Sequence, residues 1–129
     1  MGYLSDVGLC LNGHAYDLLN KAIGKVEDEK IRFAIHELLA EASVNRHPDG
    51  AIAFKWEYYR WYEEPEIFFI REFLESLSPK EYLFLRSGED SDDTEADGAY
   101  CDNPFKMKAY SCYGIISCCI STEILPPKN

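Results

Sequence analysis

The sequence predicts an α+β fold: a ferredoxin-like antiparallel sheet covered on one face by helices, with an extra C-terminal strand. Apolar residues alternate with period two in some segments and recur at three- and four-residue spacing in others, in the order strand, two helices, hairpin, helix and two strands. A chain of 129 residues with 47% hydrophobic content can bury one core and is too short for two ordinary domains. We therefore expect a single domain over residues 1–124 and a flexible tail over residues 125–129.

The first three elements have clear boundary signals. Residues 3–11 form a moderately apolar strand that ends at Asn12, a favourable residue for capping a helix N-terminus. The amphipathic helix that follows is closed by Gly24. Asp28 can cap a second amphipathic helix, whose apolar residues repeat to about Ser43.

A hairpin follows the second helix. Residues 47–50 read His-Pro-Asp-Gly, in which proline and glycine are placed for a tight turn. We expect residues 43–46 to pair with the aromatic, alternating segment 51–62. The alternation predicts that one set of side chains in this segment faces the core: Ile52, Phe54, Trp56 and Tyr58.

The third helix begins at Glu63-Glu64-Pro65-Glu66, because proline is tolerated in a first turn and the helix dipole favours carboxylates there. It ends before Ser78-Pro79. Phe68 lies off the apolar stripe of this helix, near Glu72 and Glu75. The stripe itself consists of Ile67, Ile70, Phe73, Leu74 and Leu77.

The last part of the chain contains an acidic run between two expected strands. Residues 82–86 read as a short buried strand and residues 106–116 as a final strand. Between them, residues 88–102 lack any basic side chain, and we expect them to form a loop that is disordered until it binds a partner. This run holds seven carboxylates: Glu89, Asp90, Asp92, Asp93, Glu95, Asp97 and Asp102.

Charge and hydropathy exclude several classes of function. The formal net charge is -10, with 13 basic residues against 23 acidic ones, and this disfavours direct nucleic-acid binding, which depends on neutralising phosphate. Apolar runs are far shorter than the roughly 20 residues of a membrane span. Residues 1–11 lack the features of an export signal, so we expect a cytoplasmic protein whose five cysteines are reduced.

No catalytic or cofactor motif is recognisable. Asp90, Asp92 and Thr94 have the alternate spacing of a calcium loop, but Glu95 stands where its glycine should be and Cys101 where its last carboxylate should be. The cysteine spacing does not match a thiolate metal site, and there is no phosphate-binding loop. We therefore expect no cofactor. The alternative is a divalent-metal-dependent hydrolase that uses Glu89, Asp90, Asp92 and Asp93.

Large aromatic side chains are more numerous than one core needs, and tyrosine and tryptophan are typical interface anchors. We expect some of them at a binding surface, although they could instead line a second small core under the C-terminal strand. A self-associating structural module is a further alternative. The aromatic residues are Trp56, Tyr58, Tyr59, Trp61, Tyr62 and Phe68.

Residues 85–95, which contain Gly-Glu-Asp-Ser-Asp-Asp, followed by Gly98 and by Asp102-Asn103-Pro104-Phe105, resemble a pattern in small, uncharacterised bacteriophage and prophage proteins. The opening residues 1–7 and the pair Trp61-Tyr62 are also similar. As a class, acidic phage proteins of this size resemble inhibitors of host defence enzymes such as CRISPR effectors and restriction systems.

This resemblance implies a stoichiometric, anti-CRISPR-like inhibitor in the host cytoplasm. Its partner would be a basic, nucleic-acid-handling protein, bound through an acidic surface that mimics nucleic acid. The expected partner-binding residues are Glu63, Glu64, Trp61, Phe68, Glu89, Asp90, Asp92, Asp93, Glu95 and Asp97.

Overall fold

The protein is described by a computed structural model, which covers residues 3–62, 64–90, 92–100 and 102–107. Helices and strands follow one another much as the sequence pattern predicts. Their bounds are β1 Ser5–Leu11, α1 Gly13–Gly24, α2 Glu29–Ala40, β2 Ser43–Arg46, β3 Ile52–Tyr59, α3 Pro65–Glu75, a short 3-10 turn at Pro79–Glu81, β4 Tyr82–Ser87 and β5 Thr94–Gly98.

The five strands form one sheet in the order β2-β3-β1-β4-β5, and every neighbouring pair is antiparallel. The predicted α+β class is therefore confirmed. The ferredoxin-like arrangement remains a prediction. Residues 106 and 107, the start of the expected last strand, are not in a strand, and residues 108–116 and the tail 125–129 lie outside the described residues.

Local capping explains where the helices begin. The Asn12 side chain accepts a hydrogen bond of 2.8 Å from the backbone N–H of Ala15, and Asp28 accepts one of 2.9 Å from Lys30. Both predicted caps are confirmed. Helix α2 ends at Ala40, three residues before the expected end, because the chain must extend there to pair as β2.

The predicted hairpin is also confirmed. The backbone N–H of His47 donates to the carbonyl of Ala51 at 2.9 Å, which closes the turn between β2 and β3. Gly50 has φ 99°, a left-handed conformation that glycine adopts without a steric penalty. This turn sets the register that places Phe54 opposite Val44.

The main core lies between the sheet and the three helices. Trp56 is 1% exposed, and its indole N–H donates to the carbonyl of Leu38 in α2 at 2.8 Å. Its ring centroid lies 5.1 Å from that of Trp61 and 6.0 Å from that of Phe54. These contacts join β3 to α2 and to the segment that leads into α3.

A second, smaller cluster covers part of the other face of the sheet. It is built from Cys10, Ala51, Ala53, Leu85, Tyr100, Phe105 and Met107. A second core was an open alternative for the surplus aromatic residues, but Trp56 and Trp61 belong to the main core instead.

The expectation that Tyr58 faces the core is wrong. Its side chain is 78% exposed, and its backbone has φ 50°, in the left-handed region. The pairing of β1 with β3 shifts register between Ser5 and Val7, so the alternation of side chains breaks at this point. Tyr59 takes the inward position and packs against the main core.

Replacing Tyr58 with glycine is expected to raise the free energy of unfolding by about 1 kcal/mol. A left-handed conformation costs an ordinary residue about 1–2 kcal/mol, which glycine avoids, and little buried surface is lost. Urea denaturation measures the change. The control is Glu57→Gly in the same strand, which should destabilise the protein. Equal destabilisation by both changes would contradict the expectation.

The prediction that residues 88–102 form a loop is wrong for their central part. Thr94–Gly98 is strand β5, which pairs with β4 at the edge of the sheet. Gly98 ends this strand with φ 89° and lies against the carbonyl oxygen of Tyr82, where a methyl group would overlap that oxygen.

Replacing Gly98 with alanine is expected to lower the free energy of unfolding by about 2 kcal/mol, because the change combines backbone strain with a steric overlap. Thermal and urea denaturation provide the measurement. Gly24→Ala is the matched control, since no atom lies within 4 Å of the added methyl group, and it should be neutral or slightly stabilising. Equal stability of the two variants would contradict the strain and overlap expected at Gly98.

Candidate protein-binding surface

Six of the seven carboxylates of the acidic run fall into two groups with different surroundings, and the seventh, Asp102, is exposed after β5. Asp93, Glu95 and Asp97 are spaced two residues apart, as expected of side chains that share one face of a strand. Arg86 Nη2 lies 2.7 Å from Asp93 Oδ1, and Arg71 Nη2 lies 2.8 Å from Glu95 Oε1. These two carboxylates attach β5 to β4 and to α3.

Hydrogen bonds within the molecule engage all three carboxylates of this group. The hydrogen bonds that Arg86 and Tyr3 donate hold the pKa of Asp93 below its ordinary value. Burial raises the pKa of Tyr82, and the nearby charge of Asp97, which accepts a hydrogen bond from Tyr82, raises it further. Asp93, Glu95 and Asp97 therefore hold the edge strand in place, and a partner would have to compete with these bonds to reach them.

The second group lies in the turn between β4 and β5. Glu89, Asp90 and Asp92 are all exposed. The turn is closed by a 2.8 Å hydrogen bond from the backbone N–H of Gly88 to the carbonyl of Asp93. These turn carboxylates, as we call the three acidic residues, project from the turn between β4 and β5.

Tyr3 forms two hydrogen bonds with the turn. Its hydroxyl donates to Asp93 Oδ2 at 2.7 Å and accepts from the backbone N–H of Asp90 at 3.0 Å. The backbone N–H of Leu4 donates to Glu89 Oε2 at 2.8 Å. Tyr3 and Leu4, which precede β1, thus bind the acidic turn. Tyr3 and Asp93 are 90 residues apart in the sequence.

An open groove lies at the same end of the sheet as the turn. The backbone N–H of Tyr3 donates to the hydroxyl of Tyr62 at 2.7 Å, so one residue links the turn to the groove. The groove has a volume of about 460 Å³. We call it the tyrosine groove, and its lining consists of Tyr58, Tyr59, Arg60, Tyr62, Glu64 and Glu66.

Two of the expected partner-binding residues near α3 are at the surface. Glu64 is the N-cap residue of α3 and is exposed, and within the described chain its carboxylate makes no capping hydrogen bond. Phe68 is 56% exposed. Trp61 is 9% exposed and packs on Trp56 and Phe84, so its ring belongs to the core. Glu63 lies outside the described residues.

Sequence reasoning missed two contributors to this surface, Tyr3 and Arg86, whereas the tyrosines of the groove were among the aromatic residues expected in part at a binding surface. Tyr3 acts through contacts with residues 87 and 90 positions away, and Arg86 acts through the pairing of β4 with β5, which was not predicted. The alternation of acidic and small residues over Thr94–Gly98 was a signal for β5. Its carboxylates masked that signal, because acidic residues are depleted in strands.

Among the residues that the structure describes, no group of three or more histidine, cysteine, aspartate or glutamate side chains could hold a metal ion. No described helix is long and apolar enough to cross a membrane. Comparisons with protein-family models, with curated proteins and with solved structures found no match to this chain.

Proposed function

We propose that this protein is a stoichiometric binding protein that presents one acidic end of its sheet to a basic, nucleic-acid-handling protein. The observation that carries the proposal is the position of the turn carboxylates, which are exposed beside a groove with exposed tyrosines and two further carboxylates. The resemblance to phage proteins extends the proposal to inhibition of a host defence enzyme in the host cytoplasm.

Charge supports the first step of such binding. With a net charge of -10, the protein attracts cationic surfaces, and exposed charge accelerates the encounter between complementary partners. Carboxylates held on a fixed turn can replace phosphates as acceptors for arginine and lysine. The hydrogen bonds that Tyr3 and Leu4 make to the turn restrain it, which reduces the entropy lost on binding and favours a stable complex.

The metal-dependent alternative has less support. Asp93, one of its four expected ligands, is already bonded to Arg86 and Tyr3, and Glu89 accepts from the backbone of Leu4. Self-association through the edge of β5 is disfavoured, because pairing two such edges would bring Glu95 and Asp97 of both copies together.

The test is capture of a partner from a bacterial lysate by three immobilised baits. These are the wild type, the turn variant Asp90→Asn/Asp92→Asn, and the control Asp17→Asn/Glu27→Gln, which removes the same charge at two exposed sites outside the turn. Wild type and control should enrich the same basic, nucleic-acid-handling protein, and the turn variant should not.

The captured protein is then assayed for nucleic-acid binding. Equimolar wild-type protein should reduce that binding, because the two ligands compete for one cationic surface. The proposal is wrong if the turn variant captures the same protein as well as the control does, or if no basic protein is enriched.

A further inference from the structure

We infer that the tyrosine groove receives an arginine side chain of the basic partner. The inference rests on the proposed function and specifies the group that this end of the molecule recognises. Two kinds of groups line the groove, aromatic rings and carboxylates, and together they match a planar cation. Its only basic lining residue is Arg60, so among the described residues carboxylates outnumber cations there.

Tyr58 supplies an accessible ring. Its side chain is 78% exposed, and a 3.0 Å hydrogen bond from its backbone N–H to Asp6 Oδ1 holds the backbone that directs it outward. Among the large hydrophobic side chains of the described residues, that of Tyr58 is the most exposed. A guanidinium group stacked on this ring would cover part of it.

Tyr62 and the start of α3 supply the rest of the groove. The Tyr62 hydroxyl is fixed by the backbone N–H of Tyr3, while 38% of the side chain stays exposed. The backbone N–H of Glu64 donates to the carbonyl of Tyr62 at 2.9 Å, and this bond keeps Glu64, one of the two groove carboxylates, close to Tyr62. Glu66 lies close enough to Tyr59 for its charge to raise the pKa of that phenol, after the larger effects of burial and of Glu41.

Arginine fits these groups better than lysine. Its guanidinium is planar, stacks on aromatic rings and offers five N–H donors to carboxylates, whereas the lysine ammonium is compact and strongly hydrated. Arg60 shares the groove and repels a second cation, so stacking has to contribute to the affinity in addition to charge. The groove should therefore discriminate between two peptides of equal charge.

The experiment uses the ¹⁵N-labelled full chain and two probes at low salt, the peptides (Gly-Arg)₃ and (Gly-Lys)₃, each with blocked ends. We expect the arginine peptide to shift the backbone amide signals of residues 58–66 and to bind about threefold more tightly than the lysine peptide. Glu64→Gln/Glu66→Gln should weaken both peptides by about fivefold, whereas Asp17→Asn/Glu27→Gln should have a smaller effect.

Tyr58→Asn tests the ring itself. Asparagine tolerates the left-handed backbone, so the fold should persist while the preference for arginine is lost. Phe33→Asn is the matched control, because Phe33 is an exposed aromatic residue of α2 outside the groove, and it should keep the preference. The inference is overturned by equal affinity of the wild type for both peptides, by shifts confined to the turn, or by a preference that survives Tyr58→Asn.

The result also separates this inference from the proposed function. If partner capture requires Asp90 and Asp92 but the peptides show no preference, the arginine groove is wrong and the binding function stands. If the peptides behave as expected but no basic protein is captured, the proposed function fails.

Discussion

Replacing Trp56 with alanine is expected to lower the free energy of unfolding by about 4 kcal/mol, the largest loss we expect from any single substitution considered. The indole is 1% exposed and packs against Phe54 and Trp61. Its N–H also donates a hydrogen bond to the carbonyl of Leu38, where β3 contacts α2. Alanine leaves a large cavity and an unpaired buried carbonyl. Urea denaturation followed by circular dichroism measures the loss.

Two controls locate the cause of this loss. Trp56→Phe keeps most of the apolar volume and removes the hydrogen bond, so it should cost about 2 kcal/mol. Phe33→Ala removes a ring that is 66% exposed and should change stability by less than about 0.5 kcal/mol. A loss below about 1 kcal/mol for Trp56→Ala would show that this ring is not at the centre of the core.

Replacing Arg86 with methionine is expected to lower the free energy of unfolding by about 3 kcal/mol. The Arg86 side chain is 12% exposed and lies 2.7 Å from Asp93 and 3.5 Å from Glu95. Methionine keeps the apolar stem but leaves Asp93 without its cation and Glu95 with Arg71 alone. We take the low end of the range for a broken buried ion pair because these carboxylates are about a third exposed.

Arg86→Lys keeps the charge without the forked geometry and should lose about half as much. The double variant Arg86→Met/Asp93→Asn also removes the charge of Asp93, which has lost its partner, and should recover part of the loss. Amide hydrogen exchange in β5 provides a local readout, since its protection should fall first. Unchanged protection of β5 in Arg86→Met would contradict the role given to this ion pair.

The same ion pair predicts a pH dependence. The pKa of Asp93 is lowered from its ordinary value of 3.8 by hydrogen bonds from Arg86 and Tyr3. A carboxylate with a depressed pKa contributes stability above its ordinary pKa, and this contribution is lost as pH falls through the lower value in the folded protein. Acid titration below pH 3.8 should therefore destabilise the wild type more than Asp93→Asn. Parallel acid titrations of the two would contradict this assignment.

Local signals account for the parts of the fold that the sequence predicted correctly. Asn12 and Asp28 cap helices through contacts with residues two or three positions away, and the turn before Ala51 is equally local. These features depend on short-range sterics and hydrogen bonding, and the amphipathic pattern then decides which face is buried. The α+β class followed from the succession of such patterns.

The predictions that failed depended on contacts between separate segments, which the pattern within one segment does not show. A shift in the pairing of β1 and β3 turns Tyr58 outward, and alternation within β3 cannot reveal a bulge that the partner strand causes. Strand β5 is stabilised by Arg86 and Arg71, which balance carboxylates that alone would favour a loop. Trp61 is buried because Trp56, Tyr59 and Phe84 surround it.

The candidate surface was only partly visible for the same reason. The sequence shows seven carboxylates in residues 88–102, but it does not distinguish those that hold β5 in place from those that face outward. Asp93 and Glu95 are already engaged by arginines, so substitutions there would test the fold more than binding. Asp90 and Asp92 are the appropriate residues for testing recognition.

The central claim is that the turn carboxylates bind the cationic surface of a partner protein. The most direct test is the salt dependence of the dissociation constant for the complex with the captured protein, measured for wild type, Asp90→Asn/Asp92→Asn and Asp17→Asn/Glu27→Gln. We expect wild type and control to weaken steeply and in parallel as salt rises, and the turn variant to bind more weakly at low salt with a shallower slope. Three lines that coincide in both affinity and slope would contradict the claim.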